Sequence, residues 1–163
     1  MIDEDSSFTL PTGYVAQEIM SLVFTFDQIT ALADEIVKHL SYGPHFCVWL
    51  SGPLGAGKTT LVSSLLYRLG LSGDIPVLSP TYTIMGDYAI AGSWYAHLDL
   101  YRLLAQSSLE ELGLLDAHPY QGLFVEWPER CLEDPCIQPT HLIELGYGSG
   151  DLERRIVVYK ISH

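Results

Sequence analysis

Residues 52 to 59 read Gly52-Pro53-Leu54-Gly55-Ala56-Gly57-Lys58-Thr59, the pattern G-x-x-x-x-G-K-[ST] of a phosphate-binding loop. No other stretch constrains the fold as much, because such a loop works only between a strand and a helix. Its glycines let the backbone close around a polyphosphate with N–H groups pointing inward. The flanks fit. The apolar run from His45 to Leu50 reads as a buried strand. Lys58 to Leu69 carries Leu61, Val62, Leu65, Leu66 and Leu69 at helical spacing. The N-terminus of that helix adds its dipole to the site. In such a loop Lys58 reaches the β- and γ-phosphates and the Thr59 hydroxyl binds Mg²⁺.

The remaining pattern extends this unit into an α/β sheet. Residues 1–20 lack clear periodicity and read as a flexible N-terminal extension, followed by a single domain over 21–163. Leu22 to Phe26 reads as a strand. Asp27 is a candidate N-cap for a helix over Gln28 to Leu40, whose Ile29, Leu32, Ala33, Ile36, Val37 and Leu40 share one face. Asp87 to Ile90 and Ser93 to Asp99 form a hairpin about Ala91-Gly92. Ser107 and Glu110, at capping-box spacing, open a short helix. Gly122 to Glu126, His141 to Leu145 and Arg154 to Ile161 read as three more strands. The order strand, helix, P-loop strand, helix, then strands implies a sheet that is partly parallel with an antiparallel portion.

Composition narrows the function. The net charge of −12 comes from only eight lysines and arginines, and they are scattered. A direct grip on nucleic acid needs clustered cations, so an RNA in this protein's pathway would be held by another subunit. No stretch approaches the ~18 apolar residues of a membrane span. The acidic start Met1-Ile2-Asp3-Glu4-Asp5 is unlike a signal peptide. Cys47, Cys131 and Cys136 have neither zinc-pair spacing nor an even count, and read as reduced thiols of a cytoplasmic protein.

A Mg-nucleotide site also needs a carboxylate, commonly at the end of a strand beside the P-loop strand. Glu126, closing Leu123-Phe124-Val125, and Asp99, closing Tyr95-Ala96-His97-Leu98, both fit. On pattern alone, each competes with a solvated strand-end acid. Ser79-Pro80-Thr81-Tyr82 reads first as a turn, though a hydroxyl there can sense a γ-phosphate. Arg102, three residues after Asp99, reads first as half of a surface ion pair, with contact to the phosphates as the alternative, and His97 as a packed or hydrogen-bonded strand residue rather than a base. No Asn-Lys-x-Asp element surrounds Lys38, Lys58 or Lys160, which favours ATP over GTP. No arginine-bearing lid insert is visible, which favours transfer to water over transfer to a small molecule. A nucleoside or small-molecule kinase, and a nucleotide-binding scaffold without turnover, are the alternatives.

Gly55-Ala56-Gly57-Lys58-Thr59-Thr60-Leu61, Ser79-Pro80-Thr81-Tyr82-Thr83, His97-Leu98-Asp99-Leu100-Tyr101-Arg102-Leu103 and Val125-Glu126-Trp127-Pro128 occur in this order. Together they resemble the signature blocks of the TsaE (YjeE) family, over roughly residues 22 to 161. The last three blocks are not general P-loop features. The resemblance implies a P-loop NTPase-like three-layer α/β domain with a mixed, partly parallel sheet. It implies slow hydrolysis of Mg-ATP in support of the TsaB and TsaD proteins, which place threonylcarbamoyl on the adenosine beside the anticodon of tRNA. It further implies that Gly55, Ala56, Gly57, Lys58, Thr59 and Thr60 cradle phosphates, and that Thr59 and Glu126 hold Mg²⁺. Asp99 falls at the second essential acid and Trp127 at the aromatic after Glu126. Asp27 and Arg155 fall near positions bordering the nucleotide base.

Overall fold

The computed structural model describes residues 8–40, 43–104 and 107–163. Its frame is one seven-stranded sheet in the order β1-β7-β6-β2-β5-β4-β3. The strands are β1 (Val15–Phe24), β2 (Phe46–Ser51), β3 (Met85–Ile90), β4 (Ser93–Asp99), β5 (Tyr120–Glu126), β6 (His141–Tyr147) and β7 (Arg154–Ser162). The inner four, β6, β2, β5 and β4, run parallel, and antiparallel strands flank them on both sides. Strand β2 is central, so Phe46 to Leu50 are all buried, as a strand covered on both faces must be.

Two helices, α1 (Ile29–Leu40) and α2 (Lys58–Leu69), form one layer. Leu32, Ala33, Ile36 and Leu40 of α1 and Leu61, Val62, Leu65 and Leu66 of α2 meet Val48, Leu50, Phe124, Ile143 and Ile156 of the sheet. The opposite face is covered by irregular backbone with 3₁₀ turns at Pro128–Arg130 and Pro135–Ile137. There Trp49, Leu98, Val125 and Leu142 pack against Leu103, Leu109 and Ile137, and the Trp49 indole donates to the Ile137 carbonyl at 2.8 Å. The domain is thus a three-layer α/β fold with a mixed sheet. No described helix is long and apolar enough to cross a membrane.

Three expectations change. The first strand starts at Val15, not Leu22, so residues 15–20 of the expected extension lie in the sheet. Most of β1 is exposed, so burial imprints no alternation on its sequence, and its pairing comes from β7. Ahead of it, Phe8 packs edge-on against Trp49 and its N–H donates to Glu144 at 2.7 Å. Residues 1–7 of the expected extension lie outside the described residues. Second, Asp27 is not the helix cap. The chain enters through a 3₁₀ turn, Phe26–Gln28, opened by Thr25, whose N–H donates to the Gln28 side chain at 3.0 Å. Third, Ser107–Leu112 forms turns instead of a helix. The Leu109 N–H is taken by Asp134 at 2.8 Å, and Gly113 turns the chain with φ of 59°.

Gly122 shows how tightly β5 fits β2. A Cβ there would lie 2.2 Å from the Phe46 ring, itself wedged against Phe124 and Tyr95. Gly122→Ala is expected to lower stability by roughly 1–3 kcal/mol through overpacking. Phe46→Leu in the same chain should recover part of that loss, read as paired urea midpoints.

Candidate functional site

Strand register builds the site. Leu50 of β2 stands opposite Glu126 of β5, and Glu126 opposite Asp99 of β4. All three strands end at one edge, where β2 runs into the P-loop and the loop into α2. Side chains alternate across a sheet. His97, Asp99 and Glu126 therefore share the face that packs α2, where Thr59 stands.

The P-loop is held from outside as well as by its own turns. Gly52 has φ of 141°, and a Cβ on it would lie 2.2 Å from the Leu145 carbonyl of β6. At Gly57, φ is 102° and a Cβ would meet the Phe26 ring at 2.6 Å. Only glycine satisfies both conditions at either place. The Tyr147 hydroxyl donates to the Leu54 carbonyl at 2.6 Å, tying the loop to the end of β6. The Arg154 guanidinium lies 5.2 Å over Phe26 and 4.8 Å over Tyr147.

Lys58 folds back along its own loop. Its ammonium donates to the Gly52 carbonyl at 2.6 Å and to Pro53 at 3.0 Å, and lies 3.8 Å over the Trp127 ring. Burial pushes its pKa down, against the opposing pull of Glu126, Glu129 and Asp99. Trp127 reaches this position because its backbone is left-handed, φ 58°, immediately after Glu126. Glu126 is 2% exposed. Its Oε1 accepts from Thr59 Oγ1 at 2.8 Å and from His97 Nε2 at 2.7 Å. Asp99 is held by three donors: Ser79 Oγ at 2.9 Å and Thr81 Oγ1 at 2.6 Å on Oδ2, and the Tyr101 N–H at 3.0 Å on Oδ1.

These groups line one cleft of about 420 Å³, with Phe26, Leu54, Gly55, Gly57, Lys58, Thr59, Thr60, Ser79, Thr81, Asp99, Tyr101, Glu126 and Trp127 at its walls. Of the residues expected from sequence, the cleft gathers Gly55, Gly57, Lys58, Thr59, Thr60, Asp99 and Glu126. Ala56 is buried beneath the loop. Asp27 and Arg155 do not line it. Arg155 is exposed and lies on the sheet face away from α1 and α2, near Tyr159, while Arg154 reaches Phe26. Arg102 stacks 4.3 Å over Tyr82 instead of pairing with an acid. A smaller cavity of about 280 Å³ lies at the other end of β2 and β5, beside His45, His118 and Cys136.

Sequence reasoning missed Phe26, Tyr147 and Arg154, and did not assign His97 to Glu126. Strand parity carries a signal for one of them, since Arg154 alternates with the core residues Ile156 and Val158. The set suits a hard cation shared with phosphates. Thr59 and Glu126 supply oxygen donors, the loop and the α2 N-terminus suit anions, and Mg²⁺ takes few protein ligands when phosphates complete its shell. Among the described residues, no group of three His, Cys, Asp or Glu side chains could hold a metal by itself.

Comparisons with known proteins bear on the family and the fold. A family model described as "Threonylcarbamoyl adenosine biosynthesis protein TsaE" matches residues 24–156. A relative from Haemophilus influenzae, named tRNA threonylcarbamoyladenosine biosynthesis protein TsaE, is 40% identical over 97 residues, 59% of this chain and 60% of its own length. A Synechocystis protein of the same name is 42% identical over 54% of this chain and 57% of its own. The chain thus spans less than two thirds of these two relatives. A Nostoc relative of that name is 34% identical over 131 residues, 78% of this chain and 80% of its own. The crystal structure of Bacillus subtilis YdiB shares the fold, with a TM-score of 0.66 at 24% identity over 91% of this chain and 88% of that one.

The lysine carries a stability prediction. Its charge is buried and sits at a helix N-terminus, where cations are disfavoured. A lysine pKa below its unfolded value means the unfolded chain binds more protons over that interval. Stability from this group therefore rises as pH climbs through the folded pKa toward 10.5, and the deficit is fully present below it. Lys58→Met should raise nucleotide-free stability at neutral pH by on the order of 1 kcal/mol. The gain should shrink near pH 10, as read by thermal melts at the two pH values.

Proposed function

The chain belongs to the TsaE family, and from that membership we propose that it is a Mg²⁺-dependent ATPase. It works in the cytoplasm with TsaB- and TsaD-type partners to form threonylcarbamoyladenosine on tRNA. The observation that carries the ATPase reading is the Thr59–Glu126 hydrogen bond at the mouth of the P-loop, with Asp99 in register beside it. That arrangement supports a reading in which Thr59 and Glu126 offer oxygen donors to a metal and Asp99 is a second carboxylate beside one phosphate cradle. The acidic surface supports tRNA being held by the partner complex and not by this chain.

Gly55 to Thr60 bind the phosphates through backbone N–H groups, and Lys58 leaves the Gly52 and Pro53 carbonyls to meet the β- and γ-oxygens. Thr59 and Glu126 would hold Mg²⁺, which when bound would supply positive charge against the charge on the phosphates. Asp99, clamped on both oxygens by Ser79, Thr81 and the Tyr101 N–H, orients the attacking water. Catalysis is then positioning and charge stabilisation, the usual means in phosphoryl transfer. Trp127 covers the lysine and limits water at that side of the cleft. Phe26 and Arg154 border the loop where a nucleotide base would extend. Asp27 and Arg155, expected to border that base, stand next in sequence to Phe26 and Arg154.

The direct test is phosphate release from Mg-ATP by the purified chain, alone and with a TsaB–TsaD heterodimer. Release that changes with the heterodimer is expected. A phosphorylated acceptor would instead make the protein a kinase, and the absence of both ATP binding and phosphate release under both conditions would remove the reading. Asp99→Asn should keep ATP affinity within a few-fold while release falls by about 100-fold or more. Glu126→Gln should lose a similar factor and also require more Mg²⁺. Equal release by the Asp99→Asn protein and the unaltered one would take Asp99 out of the mechanism.

A further inference from the structure

We infer that His97 is a positioning residue that fixes the Glu126 carboxylate for a divalent cation. This rests on the ATPase reading above and extends it to a residue that does not itself line the cleft. The imidazole has no solvent exposure and stands on β4 one turn of the pleat before Asp99. Its Nε2 lies 2.7 Å from Glu126 Oε1, the same oxygen that accepts from Thr59. Two donors from different elements, one from the sheet and one from α2, therefore hold a single carboxylate oxygen. Among the described residues no group donates to Oε2, so that oxygen is left for a ligand.

The other ring nitrogen carries the argument further. His97 Nδ1 is buried and has no hydrogen-bond partner. Buried polar atoms are nearly always satisfied, and one left unpaired is destabilising. An apolar side chain of similar size would fill this position without that penalty. A histidine here is justified by its single bond, the one to Glu126. The network also assigns the tautomer. A hydrogen on Nδ1 would be a buried donor without an acceptor, whereas a hydrogen on Nε2 meets a carboxylate oxygen. His97 thus donates through Nε2 to the Glu126 carboxylate, the arrangement by which outer groups fix metal-binding carboxylates.

The test uses the full chain with His97→Leu and His97→Gln. Binding of a fluorescent ATP analogue is followed without Mg²⁺ and across a Mg²⁺ titration, with phosphate release measured in parallel. His97→Leu is expected to bind the analogue in the absence of Mg²⁺ as the unaltered protein does. Its half-saturating Mg²⁺ concentration should rise roughly 10-fold, in both the binding and the release measurements. His97→Gln offers an amide donor near the Nε2 position and should recover part of that shift. Should the leucine variant not fold, His97→Asn, whose amide is too short to reach Glu126, takes its place and must show the same 10-fold shift. An unmoved Mg²⁺ requirement, or equal shifts for Gln and the donor-free variant, overturns the positioning role and leaves the ATPase reading standing. Failure of the unaltered protein to bind the analogue at any Mg²⁺ concentration overturns both.

Discussion

The parallel pairing of β2, β5 and β4 is the constraint on which everything else in this molecule depends. It stops three strands at one edge in a fixed register, Leu50 beside Glu126 beside Asp99. A slip of one residue in β5 would turn Glu126 to the face opposite α2, because strand side chains alternate. Such a slip is opposed throughout the strand by Phe124 packing on one face and Val125 on the other, and by Gly122 under the Phe46 ring. Core packing and site geometry are therefore one problem. The apolar residues of β5 do not merely support the site; they choose which side of the sheet its carboxylate occupies.

Around that register the polar groups hold one another at high density. Thr59 and His97 share one oxygen of Glu126, and Ser79, Thr81 and a backbone N–H share Asp99. Lys58 spends its ammonium on two carbonyls of its own loop. Buried polar networks of this sort are rigid when fully satisfied. Here they are satisfied almost to the last atom, with His97 Nδ1 and Arg154 Nε as the buried side-chain exceptions among the described residues. Both exceptions flank the cleft, one behind Glu126 and one above Phe26.

Much of this was legible in the sequence because burial and periodicity write it there. The strand before Gly52, the helix over Lys58–Leu69, the hairpin about Ala91-Gly92 and the strand ending at Glu126 all stand where their patterns place them. The two carboxylates were legible because they close apolar runs. What was not legible has a common cause, which is dependence on a distant partner. β1 is exposed along most of its length and owes its existence to β7. The capping-box spacing at Ser107 lost to Asp134, a residue far along the chain that takes the Leu109 N–H. Tyr147 and Phe26 border the P-loop through contacts across many residues of sequence, for which local pattern holds no record. Arg154 and Arg155 differ only in parity, and the family resemblance points to Arg155, which is exposed on the sheet face away from α1 and α2.

The pairing of β1 with β7 has a consequence in time as well as in space. Val15 to Phe24 can complete the sheet only after Arg154 to Ser162 have been synthesised. Until then β6 offers an unpaired edge, and Tyr147, which braces the P-loop, lies on that edge strand. Contacts of such long sequence separation form late and slowly, and open edges invite pairing with other chains. On the ribosome the chain would thus hold an incomplete sheet through most of its synthesis. A fragment lacking β7 would be an aggregation hazard even with every residue that lines the cleft present.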